Sequence, residues 1–272
     1  MSSLDLRSAD STLAIFSRRF FDDGLGPLAS TAAFARFDSS RFDARTLAWG
    51  VSAWQHRTLD EYRSQVGFTE FLNELTELGA SFDVLSTAVR VVRDEARHVE
   101  LCKRRVVALG AEAIIPGEPR FIRSDRDLPL LERVLRSTIG SLCIGETLSM
   151  ALLAATQKVT KDPLARATVT ILAADESVHS QFGWRLLGQL WPITEKKLQR
   201  TLVGELEFLL SSAHESVFAG DPLGARDRNP FGDLLTAERR ATFVRSLERD
   251  VLRRFDALKI PARAKAKKAG VT

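Results

Sequence analysis

The chain has 272 residues, 44% of them hydrophobic and 27% charged, enough for one large domain, or one domain with added helices, around a sizeable core. Two cysteines, Cys102 and Cys143, exclude a disulfide framework or a four-thiolate cluster built from this chain alone. The net charge of +4 comes from Lys259, Arg263, Lys265, Lys267 and Lys268 near the end, and the rest is close to neutral, so it does not argue for nucleic acid.

Apolar residues recur at three- and four-residue spacing with no convincing period-2 run, so the expected class is all-α. Residues 1–57 read as an N-terminal extension with a helix over 41–56. Its first residues, Met1 to Asp10, are polar and lack the basic-then-apolar pattern of a secretory leader, which makes the cytoplasm the expected location. A helical hairpin follows over 58–109, turning at Gly79-Ala80-Ser81, where the glycine ends one helix and Ser81 can cap the next. Residues 110–128 form a long crossover containing Gly110, Pro116 and Pro119. The second hairpin spans 129–190 and turns at Lys161-Asp162-Pro163, with Asp162 at the N-cap and Pro163 at the first helical position. No stretch of the chain approaches about 20 uninterrupted apolar residues, so no membrane span is expected. Trp191-Pro192 closes that helix, and Thr194 can cap another over 194–218. The loop from Gly220 to Gly232 precedes Thr236 and a last amphipathic helix to about residue 257. The tail, 259–272, alternates Ala with Lys and reads as disordered. Two antiparallel hairpins joined by one long crossover are the ferritin-like form of the four-helix bundle, here over 58–190 with additional helices over 191–258.

Asp94-Glu95-Ala96-Arg97-His98 and Asp175-Glu176-Ser177-Val178-His179 share the pattern Asp-Glu-x-x-His. Glu and His three apart lie on one helix face and can bind one centre together. Composition predicts about 0.02 such pentads by chance, and the chain holds two that use half of its four histidines. Carboxylates can bridge two hard cations while each imidazole completes one of them. A bundle site of this type needs one further Glu from each partner helix. In the second hairpin Glu146 is the only acid between Glu132 and Asp162, and it lies as far before the turn as Glu176 lies after it. In the first hairpin Glu61 is level with Glu95 and His98 and continues the stripe Phe68, Leu72, Leu75; Asp60 is the fallback, and Glu70 lies about 8 Å or more off level. Asp94 and Asp175 are the expected acceptors for the outer imidazole nitrogens, crossing over from Asp94 to His179 and from Asp175 to His98. His56 and His214 read as structural or exposed, and Cys102, Cys143 and the four tryptophans as core.

The set Glu61, Asp94-Glu95-x-x-His98, Glu146 and Asp175-Glu176-x-x-His179 resembles the dimetal-carboxylate branch of the ferritin-like superfamily. That branch includes bacterioferritin, rubrerythrin, ribonucleotide reductase small subunits, multicomponent monooxygenases, acyl-carrier-protein desaturases and aromatic-amine N-oxygenases. The resemblance covers about 58–190 and implies two iron ions, with manganese or mixed Mn/Fe occupancy also open. It further implies Glu95 and Glu176 as bridging ligands, Glu61 and Glu146 as terminal ones, and O2 activation by the reduced pair. Departures narrow the field. The reductase's radical tyrosine position is Cys102, and the only tyrosine is Tyr62. A polar residue of the monooxygenases is Met150, the extra histidine of the N-oxygenases is Leu172, and the Cys-x-x-Cys pairs of rubrerythrin are missing.

The expected function is a diiron, O2-dependent oxidase or oxygenase that hydroxylates, desaturates or N-oxygenates a small organic substrate. Electrons would come from a separate reductase or ferredoxin, since the chain has neither a flavin motif nor cluster ligands. The sequence flanking the bundle can wall a pocket beside the metals. Two alternatives stand beside it: a ferroxidase or iron-handling protein acting on Fe(II), and a non-catalytic helical scaffold around a metal pair. No membrane or nucleic-acid partner is expected, and a homodimer is left open.

Overall fold

The computed structural model describes residues 2–7, 21, 27–119, 125–218 and 229–272. Among the described residues it is all-α apart from one strand pair. A short helix α1 (Thr31–Ala35) leads into α2 (Ala44–Glu77), which begins where the Asp43 carboxylate accepts from Thr46 N–H at 2.8 Å. Nothing in this stretch breaks a helix, so α2 runs unbroken for 34 residues, about 51 Å. The boundary expected at residue 57 therefore falls inside α2, and the separate helix expected over 41–56 is its first half. Gly50 sits within it because a Cβ there would stand 2.5 Å from the Phe231 ring.

Gly79, at φ 73°, ends α2: its N–H bonds to Thr76 O and that of Ala80 to Leu75 O, the two-bond closure in which glycine takes the left-handed conformation. Ser81 occupies the N-cap of α3 (Phe82–Ala108) with extended backbone but no side-chain capping bond. The crossover contains a strand the periodicity did not indicate. β1 (Ser3–Asp5) pairs antiparallel with β2 (Ile114–Pro116), with Leu4 opposite Ile115 and both buried. Three-residue strands are too short to display an alternation.

The second hairpin is α4 (Leu130–Val159) and α5 (Pro163–Leu190), the latter capped by Asp162 accepting from Ala165 N–H at 2.8 Å with Pro163 in its first turn. Within α4 the residues Thr138–Glu146 are wound as π-helix. Gly183 of α5 lies so close to this stretch that a Cβ there would be 2.3 Å from Leu142 Cβ. Just past the π-helix, Thr147 Oγ1 lies 2.7 Å from Ser180 Oγ and accepts from Trp184 Nε1 at 3.0 Å, pinning α4 to α5. α4 is long and apolar enough to cross a membrane by length and composition, and half of its most apolar window is buried within the fold.

α2 packs on α3, α3 on α5, α5 on α4, and the start of α4 returns to α2, so four helices enclose one interior. Arg105 near the end of α3 is fully buried among Phe37, Trp54 and Phe231, 3.4 Å from Asp162. Burial lowers its pKa to about 10 despite that carboxylate.

After a 3-10 turn at Trp191–Ile193, α6 (Lys196–Phe218) lies along α4. The segments Thr236–Ser246, Leu247–Leu252 (π-helical) and Arg253–Ala257 run on as one helix, α7. Most of the loop expected over 220–232 lies outside the described residues. The tail expected to be disordered forms α8 (Ala262–Lys268), packed on α6. Ile260, Ala262, Ala266 and Val271 are buried in the core shared by α4, α5, α6 and α7, while Lys259, Lys267 and Lys268 are exposed and Lys265 is half-buried.

Candidate metal centre

The interior of the four helices is acidic at one level. Glu61 (α2), Glu95 and His98 (α3), Glu146 (α4), and Glu176 and His179 (α5) are each at most 6% exposed. Helix geometry explains the placement: Glu95 and His98, like Glu176 and His179, are three residues apart and share an inward face. Glu146 closes the π-helical stretch, a winding that recurs at functional sites.

The six side chains divide into two overlapping groups: Glu61, Glu95, His98 and Glu176, and Glu95, Glu146, Glu176 and His179. In each group the ligand atoms lie within 4.8 Å of one another. Glu95 and Glu176 belong to both, and each turns one oxygen to each imidazole. His98 Nδ1 is 3.7 Å from Glu95 Oε2 and 4.0 Å from Glu176 Oε1. His179 Nδ1 is 3.2 Å from Glu95 Oε1 and 3.1 Å from Glu176 Oε2. Of the two imidazoles, Glu61 approaches that of His98, at 3.3 Å, and Glu146 that of His179, at 3.8 Å. Asp60 stands outside the cluster, half exposed and 3.4 Å from His56.

The outer nitrogens face aspartates from the opposite pentad. Asp175 Oδ2 is 3.1 Å from His98 Nε2, and Asp94 Oδ2 is 3.6 Å from His179 Nε2. At His98 the acceptor at Nε2 keeps the proton there and leaves the Nδ1 lone pair for a metal, whereas His179 Nε2 faces the Asp94 charge beyond hydrogen-bond distance. Sequence reasoning missed Arg97, which lies inside the first pentad. Its guanidinium donates to Asp175 at 2.6 Å and to Asp94 at 3.4 Å, joining the two supports, while Arg90 and Arg93 also donate to Asp94. A cation between Glu95 and His98 was the available signal. Burial pushes the Asp94 and Asp175 carboxyls up, but the neighbouring imidazoles and arginines outweigh it and hold both below the usual aspartate range.

The cluster is electrostatically incomplete as protein alone. Burial pushes Glu61 up to about 7, and burial together with the Glu146 charge pushes Glu176 up to about 8. Burial opposes charging of His98 and His179, yet the carboxylates around them raise both well above the ordinary histidine value. Both oxygens of Glu95 and Nδ1 of His98 are buried with no hydrogen-bond partner. Groups of this kind are rarely left so in the absence of a ligand. Four carboxylates carry the charge that two divalent cations neutralise, and oxygen with imidazole donors suits first-row metals. The residues therefore fit a pair of metal ions.

Cys102, one turn after His98, is fully buried, and burial raises its thiol well above the usual range, leaving it inert. Cys143 is buried in the same core as Trp184, and His214 packs against Phe218 and Phe243. Where the flanking sequence was expected to wall a pocket, a cavity of about 600 Å³ lies between α2 and α4, bordered by Glu61, Glu146 and Glu176 and flanked by α6 and the start of α7. Ser149 lines it and donates to Glu176 Oε1 at 3.5 Å. Compared with protein-family models, curated proteins and solved structures, the chain matches none.

Proposed function

We propose that this chain is a non-haem diiron oxidase or oxygenase, built on a ferritin-like four-helix bundle, that uses O2 to oxidise a small organic substrate. The observation that carries the reading is the cavity of about 600 Å³ bordered by three of the four clustered glutamates. That volume suits a small organic molecule. An iron pair bound by Glu61, Glu95, His98, Glu146, Glu176 and His179 would supply O2 activation when reduced by an external electron donor. The chain's own residues do the rest. Phe68, Leu148, Leu152 and Leu153 line the cavity and keep bulk water from the reacting atoms. Arg97, through Asp94 and Asp175, holds both imidazoles in orientation. The Ser149 hydroxyl can pass a proton between the cavity and Glu176 Oε1.

The iron-handling alternative asks for a negatively charged path by which Fe(II) reaches the site. Beyond the clustered glutamates, the cavity walls carry Arg57, Arg63 and Arg239 against Asp60 and Asp233, which does not favour it.

Metal analysis of iron-grown protein, followed by mixing its Fe(II) form with O2, tests the proposal. The expected result is one iron per carboxylate–histidine group, two in all, lost in Glu95→Ala and Glu176→Ala. One optical transient per O2 consumed should accompany it. Repeated rapid Fe(II) turnover with mineral build-up would favour iron handling. Failure to bind a metal pair under any loading condition would overturn both readings.

A further inference from the structure

The cavity is elongated. Its lining runs along α2 from Trp49 to Phe68 and along α4 from Ser141 to Thr156, about 28 Å and 22 Å of helix respectively. Apart from the clustered glutamates, the charged groups facing it are His56, Arg57, Asp60 and Arg63 of α2, Asp233 before α7, and Arg239 of α7. Most are already engaged. Asp60 lies 3.4 Å from His56 and 3.9 Å from Arg63, and Arg63 also donates to Glu118 O at 2.9 Å. Arg239 donates to Val217 O at 3.4 Å, and Asp233 accepts from Asn229 at 3.5 Å.

Arg57 is the exception. It is half-buried, and among the described residues it makes neither an ion pair nor a hydrogen bond; its guanidinium carbon stands 5.9 Å from the Trp54 ring centroid. It sits one helical turn before Glu61 on the same face and lines the cavity. A guanidinium in this setting offers two parallel donors, the match for a carboxylate.

We propose that Arg57 makes the cavity selective for elongated organic monocarboxylates, holding the carboxylate one helical turn from Glu61 with the chain against the apolar part of the lining, Phe68, Leu148, Leu152 and Leu153. A single guanidinium with no ion pair or hydrogen bond among the described residues suits a monoanion, and the Asp60 carboxylate, whose charge Arg57 already feels, opposes a dianion such as a phosphate monoester. The assignment rests on reading the cavity as the substrate site of the proposed oxidation. It is tested by binding without turnover, so either can fail while the other stands.

Octanoate, octanamide and octylamine share a chain and differ in head-group charge. Their affinities for the full-length protein as isolated are to be measured by titration calorimetry. Octanoate should bind at least about tenfold more tightly than octanamide, with octylamine weakest. Arg57→Gln should bring octanoate down to the level of octanamide and leave octanamide binding unchanged, which also reports an intact fold. Arg239→Gln should keep the preference. If Arg57→Gln does not fold, Arg57→Lys decides, with a several-fold loss of octanoate affinity expected and an unchanged affinity overturning the assignment. It is equally overturned by octanoate binding no tighter than octanamide, by a preference that survives Arg57→Gln, by equal loss in Arg239→Gln, or by no binding of any probe.

Discussion

Each imidazole in the cluster faces a carboxylate of the opposite pentad, hydrogen-bonded at His98 and within ion-pair distance at His179, and Arg97 holds both carboxylates. Outer partners of this kind set the tautomer and the basicity of a metal ligand. Asp175→Asn keeps the shape at His98 Nε2 but removes the charge, and should weaken metal binding by about 10- to 100-fold. Equilibrium titration with Fe(II) or Zn(II) reads this directly, and an unchanged affinity would show that the His98–Asp175 contact does not support the site. Arg97→Gln should lower occupancy of both positions together. At this scale the sequence was informative where chemistry is local. The repeated pentad marked four of the clustered side chains, the isolation of Glu146 marked a fifth, and level along the helix distinguished Glu61 from Glu70. The roles of Arg97 and Ser149 were not legible, because each depends on how two helices are rotated against one another.

Among the elements, α8 departs most from its sequence. Alternating alanine and lysine hides a helix whose buried positions, Ala262 and Ala266, are four apart and whose larger anchors, Ile260 and Val271, lie just outside it. Burying an Ile and a Val is worth roughly 3–6 kcal/mol together, so deleting 259–272 should lower stability by about that much in denaturant unfolding. An unchanged midpoint would return the tail to the solvated segment its composition suggests. The approach of α5 to the π-helical stretch gives a second test. Gly183→Ala places a methyl against Leu142 and should cost about 1–3 kcal/mol; a neutral effect would mean that the contact relaxes freely. The turns at Gly79 and Pro163 were legible because their residues impose backbone angles. The unbroken length of α2 was not, since a helix core can continue under a flanking loop without any local sign.

For the molecule as a whole, the acidic interior couples folding to pH and to metal. Glu61 and Glu176 have folded pKa values of about 7 and 8, above the ordinary glutamate value of 4.5. A group raised in this way stabilises the fold fully below its unfolded pKa and loses that contribution as pH rises through the folded one. The raised values of His98 and His179 act in the same direction above 6.5. Metal-free protein should therefore lose thermal stability between about pH 5 and 8. Metal binding needs deprotonated ligands and strengthens over the same interval, so metal-loaded protein should show a flatter or opposite slope. Parallel slopes with and without metal would remove the coupling. Asp94 and Asp175, held low, act only below the ordinary aspartate value of 3.8. The cavity belongs to this scale too: its walls come from α2, α4, α6 and α7, and no single stretch of sequence encodes it.

The sharing of Glu95 and Glu176 sets a condition on assembly. Each ligand group takes one of these residues from the first hairpin and the other from the second, so neither half of the chain contains even one complete position. Two fragments produced by cutting the crossover would each be metal-blind, and metal uptake would report their reunion rather than the folding of either piece.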